Sequence, residues 1–158
     1  MTGFLVAAII LGQQSDGIEC PRTLLDALEK SKLTYATLPA FLSFKYTIAE
    51  SKRTQTVYLR KASEEYLGLK VNEVFGIVWD EPQKPTRELL LSTFNRRFTI
   101  GGLVLELPSA TQKNYRIRFR TTVSATASPR EVKDVLNVVA STADDLEKQL
   151  NPGKGDLQ

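Results

Sequence analysis

Residues 86–123, TRELLLSTFNRRFTIGGLVLELPSATQKNYRIRFRTTV, carry the pattern that decides the architecture. Pro85 or Thr86 opens a helix whose Leu90, Leu91 and Phe94 fall at helical spacing, and this spacing predicts a buried stripe. Asn95, Arg96 and Arg97 leave that helix, and Gly101-Gly102 turns the chain into a strand where Leu103, Leu105 and Leu107 alternate with Val104 and Glu106. Tyr115, Ile117, Phe119 and Thr121 then share one face of a second strand, with Arg116, Arg118 and Arg120 on the other. If Leu107 faces Tyr115, Leu105 meets Ile117, Leu103 meets Phe119 and Glu106 stands opposite Arg116, so one register satisfies both faces.

Working outward, Ser128-Pro129-Arg130-Glu131 supplies a capping serine, a proline at the first helical position and a glutamate three residues after the cap. Val132, Val135, Leu136, Val139, Ala140, Ala143, Leu146 and Leu150 follow at three- and four-residue spacing, which predicts a helix of about six turns, ended by Asn151-Pro152-Gly153. Towards the amino terminus, Val74–Trp79 is apolar on both faces and reads as a central, covered strand. Residues 41–48 and 54–61 alternate like strands about a polar turn at 50–53, with Val57 and Leu59 on one side and Tyr58 and Arg60 on the other. Residues 62–72 admit either a helical turn or strand pairing. Pro21 opens a short first helix containing Leu24, Leu25 and Leu28, with Lys30 and Lys32 at its carboxyl end.

The predicted order is α-β-β-β-α-β-β-α: an α+β fold in which helices pack on an antiparallel five-stranded sheet. The domain spans 20–151. Residues 152–158 are expected to be a disordered tail, and 1–19 a partly loose one. The apolar run from Phe4 to Leu11 is shorter than the roughly 20 residues that span a bilayer. No basic residue precedes it and no small-residue cleavage site follows, so no membrane partner is expected.

At 158 residues, with 42% hydrophobic and 25% charged side chains, the chain is long enough for one real core. The net charge of +3 is too small to imply nucleic acid by itself. Residues 84–120 nevertheless hold eight basic groups against Glu88 and Glu106. The sequence has no histidine, which removes the commonest general base, zinc ligand and activator of a serine or cysteine nucleophile. Cys20 is the single cysteine, which excludes an intrachain disulfide and suits a reducing cytoplasm. Neither catalysis nor a cofactor is expected.

The helix running through Asn95-Arg96-Arg97 and the glycine pair into a strand, followed by the long helix at 129–150, resembles the type III secretion chaperone-like fold. Within it the chain is most similar to YbjN-like proteins and their cyanobacterial and plastid relatives, over residues 22 to 150. The resemblance implies a small, non-enzymatic protein that forms a homodimer and binds other polypeptides.

Four surfaces are candidates for binding. Arg116, Arg118 and Arg120 recur at intervals of about 6.6 Å, which suits either a polyanion or the solvated face every antiparallel sheet needs, with Glu106 and the facing strand as partners. Tyr115 and Phe119 fall on the opposite face, so the stripe lacks aromatics to stack bases. Arg96 and Arg97 either recognise a carboxylate or complement the helix dipole. Trp79 is either an interface anchor or a core plug. Asp144, Asp145 and Glu147 read as a solvated helix face.

Overall fold

The computed structural model describes residues 19–49 and 52–151. Of the expected tails, 1–19 and 152–158, all but Glu19 lies outside the described residues. The elements are α1 (Arg22–Lys30), β1 (Ala36–Thr37), β2 (Phe41–Thr47), β3 (Thr54–Tyr66), β4 (Leu69–Glu81), α2 (Arg87–Phe94), β5 (Gly102–Glu106), β6 (Tyr115–Ser124) and α3 (Pro129–Leu150). All strand pairs are antiparallel and the sheet order is β1-β2-β3-β4-β6-β5. The α+β class stands. Among the described residues the sheet has six strands where the pattern predicts five, because the two residues of β1 pair with Leu42 and Ser43. Two residues are too few to show a period of two.

The register expected for β5 and β6 is realised for three pairs, Leu103 with Phe119, Leu105 with Ile117 and Glu106 with Arg116, but the ladder ends there: Leu107 lies beyond β5, 66% exposed, and does not pair with Tyr115. α3 begins with the capping box, in which Glu131 N–H donates to Ser128 Oγ and Ser128 N–H donates to Glu131 Oε2. Its apolar stripe lies across β3, β4 and β6. Gly76, in the middle of β4, lets α3 settle: a Cβ there would lie 2.7 Å from the Cβ of Ala143. Leu42, Phe44, Val57, Leu59, Val74, Val78, Ile117 and Phe119 complete the core with α1 and α3.

Two expectations need correction, and one open alternative is decided. In α2, Leu91 and Phe94 are exposed and the buried residue is Thr93, because this two-turn helix seats only its Leu89–Leu90–Thr93 side. Asp144 and Glu147 are buried instead of solvated, because three-residue spacing keeps them on one face, where the Arg53 guanidinium reaches both at 3.1 and 3.0 Å. Lys148 meets the other oxygen of Asp144 at 2.6 Å, and only Asp145 stays exposed. Of the two alternatives for residues 62–72, strand pairing holds: they are strand throughout except for a two-residue turn at Leu67-Gly68, so β3 and β4 form one long hairpin.

Candidate functional site: the open face of the sheet

α3 and α1 cover one face of the sheet; among the described residues, no helix packs on the other. On that open face, the alternation of β2, β3, β4 and β6 places Phe41, Tyr58, Phe75 and Ile77 beside Arg60, Arg116, Arg118 and Arg120. Tyr58 stacks on Phe75 with centroids 5.1 Å apart, and Phe41 meets Phe75 edge-on at 5.5 Å. The Arg118 guanidinium lies 4.2 Å from the Phe75 ring centre and seals it from water. The arginine stripe therefore does have aromatic neighbours. They come from adjacent strands, which a reading confined to the arginines' own strand cannot see.

The guanidiniums are already partnered. Arg116 donates from Nε and Nη2 to Asp80 Oδ2 at 2.9 and 2.7 Å, and Asn114 Nδ2 donates to the other oxygen at 2.7 Å. Arg118 pairs with Glu106 at 2.6 Å, so Glu106 passes over Arg116, which faces it across the ladder, for the next arginine along. Glu73, only 6% exposed, sits among Arg60, Arg120 and Arg118 at 2.8, 3.3 and 3.7 Å. Arg60 also reaches Glu64 at 3.6 Å. Burial lowers the pKa of Arg118, and the charges of Glu73 and Glu106 oppose that shift. Four arginines thus meet four carboxylates, and the face is electrically close to neutral.

A β-bulge decides which residues of β4 reach this face. Ile77 pairs with Arg118 and Trp79 with Ile117, so Val78 is the extra residue and the alternation changes phase. Trp79 turns inward and is 7% exposed in the core, while Asp80 turns out to meet Arg116. Without the bulge, Trp79 would lie on the open face. It is a core plug because of one inserted residue.

Between the arginines, the aromatic floor and residues Leu107 to Gln112 of the β5–β6 connection lies an open recess of about 670 Å³. Arg116 and Arg118 line it; Arg120 borders a separate shallow recess with Gly102 and Glu73. Arg96 and Arg97 are exposed between α2 and β5 and line neither recess. The sequence reading missed Phe41, Tyr58, Phe75 and Ile77 as site residues. Their signal is apolar side chains at the positions alternating with the core set.

Chemically, the recess offers apolar area with a compensated rim. Cys20 lies elsewhere, and burial pushes its thiol up to about 11, the opposite of what an activated nucleophile needs. None of the helices among the described residues is long and apolar enough to cross a membrane. Comparison with known proteins finds no matching family model, no matching curated protein and no matching solved structure.

Proposed function

We propose that this chain is a non-enzymatic protein-interaction module of the cytoplasm, chaperone-like or scaffold-like, which holds another polypeptide against the open sheet face. The observation that carries the reading is an uncovered face with an aromatic floor whose charges cancel among themselves. Such a surface gains by burying uncharged apolar side chains and has little net field to attract an ion. The resemblance to YbjN-like proteins and type III secretion chaperones points the same way.

A homodimer belongs to this proposal, built by pairing two β5 edges. β5 is an edge strand, and Leu91, Phe94 and Ile100 stand exposed in the α2–β5 segment that leads into it. Antiparallel pairing centred on Val104 sets Glu106 of one copy opposite Gly102 of the other, whose ladder neighbour is Arg120. Gly102 has no side chain to stand between those two charges.

Tagged protein should retain a stoichiometric polypeptide from a lysate of the source organism, and retention should survive high salt. Tyr58→Ala should weaken it roughly tenfold, the equivalent of about 1.4 kcal/mol. Retention that ignores Tyr58, or repeated recovery of nothing, defeats the reading. Light scattering should report the mass of two chains.

The second reading, binding of nucleic acid or another anion, draws on the arginine and aromatic side chains interleaved across β3, β4 and β6, the combination found on single-strand stacking platforms. It requires micromolar or tighter affinity for a single-stranded oligonucleotide, with a steep salt dependence lowered by Arg120→Glu. Affinity unchanged by that variant removes this reading.

A further inference from the structure

The β3–β4 hairpin ends in Tyr66-Leu67-Gly68-Leu69, and this tip extends past both neighbouring strands. The β2 pairing stops at Arg60 and the β6 pairing at Val71. Tyr66, Leu67 and Leu69 are 67%, 86% and 65% exposed. Leu67 and Gly68 adopt φ of 51° and 79°, the left-handed pair of a two-residue hairpin turn in which asparagine, aspartate or glycine fits the first position. A leucine there costs strain and recovers almost no packing within the domain. Three large apolar side chains on a convex tip call for a receiving medium outside the fold.

The position of the tip says which medium. Cys20 and Arg22 line one shallow recess together with Glu64, Glu65 and Lys70, so the chain enters α1 beside the hairpin, one residue pair from the tip. The eight residues Phe4 to Leu11, all apolar, precede Glu19 by eight positions, a span of at most about 29 Å. In sequence, a wholly apolar run thus precedes the point where the chain enters α1 beside the apolar tip. A convex knob asks a protein partner for a matching hollow, whereas fluid lipid accepts it without one. The tyrosine suits the headgroup level, where an aromatic body is buried and its hydroxyl stays wet. Near the tip, the recess is lined by Arg22 and Lys70 and by Glu19, Glu64 and Glu65, so the surface has no positive surplus for anionic lipid.

We infer that the hairpin tip inserts into the surface of a zwitterionic lipid bilayer, holding the domain there peripherally through Tyr66, Leu67 and Leu69. This departs from the expectation, drawn from the length and flanks of residues 4–11, that no membrane partner exists. The test uses the full chain, phosphatidylcholine vesicles and sedimentation. The protein should pellet with vesicles to an extent that rising salt leaves unchanged. Leu67→Asn should lose roughly tenfold in vesicle affinity while its melting temperature holds or rises, since asparagine suits the left-handed turn. Those opposite signs separate a lipid contact from a structural one, and Leu69→Ser should repeat the loss. Absence of vesicle binding, equal binding by Leu67→Asn, or binding confined to anionic vesicles and abolished by salt would each overturn the inference. So would a Leu67→Asn variant that loses a polypeptide partner while the native chain ignores vesicles.

Discussion

Gly76→Val should lower the unfolding free energy by about 3 kcal/mol, measured by urea denaturation with an unchanged slope. Intrinsic propensity predicts the reverse sign, since valine is a better strand residue than glycine. Sterics decide. A Cβ at position 76 lies 2.7 Å from Ala143 Cβ, and Val139 Cγ1 stands 3.6 Å away. Ala143 is fixed to the helix backbone and cannot swing aside, so α3 itself has to move. The displacement would also disturb the ion pairs of Asp144, the next residue, and of Glu147, one turn further on. A milder exchange tests the same geometry: Gly76→Ala combined with Ala143→Gly moves one methyl group across the interface. The double variant should be more stable than the sum of the single effects by about 1 kcal/mol. A loss below about 0.5 kcal/mol for Gly76→Val would mean that α3 is not seated on β4 at this height.

The second large effect is expected at Glu73. Glu73→Gln preserves shape and removes the charge that three arginines share, leaving the largely buried Arg118 to Glu106 alone. Breaking a buried ion pair from one side costs about 3 kcal/mol, because the remaining charge is still desolvated. The same variant probes function. With one negative charge gone, the open face carries four guanidiniums against three carboxylates, and retention on a heparin column should increase. If stability falls and heparin retention rises, neutrality is what keeps polyanions off the native face, as the polypeptide-binding reading requires. If the native protein already binds heparin tightly and Glu73→Gln adds nothing, the compensation described for the arginines is not what governs the surface.

Much of the framework was legible in the primary structure because each local signal pointed the same way. Ser128-Pro129-Arg130-Glu131 names the start of α3, and the stripe from Val132 to Leu150 gives its length to the residue. Leu103, Leu105, Ile117 and Phe119 are pinned to their register because a one-residue slip would expose all four. The hairpin tip was less legible. Leucine at a left-handed position contradicts turn chemistry, so residues 62–72 read ambiguously until the strands on either side were seen to continue into them.

The chain's own pattern established an antiparallel sheet backed by helices, the arginines on one side of β6, and the want of histidine and of a second thiol. These are properties of single segments or of composition, where a period of 2 or 3.6 is enough to tell inside from outside. Only the folded molecule decided which side chains of different strands became neighbours. It put Phe41, Tyr58 and Phe75 among the arginines, matched four guanidiniums to four carboxylates, and used a bulge after Ile77 to bury Trp79 and present Asp80. Those outcomes depend on contacts between residues as far apart as Asp80 and Arg116, and on the phase of the alternation across an irregularity, neither of which is encoded in local spacing.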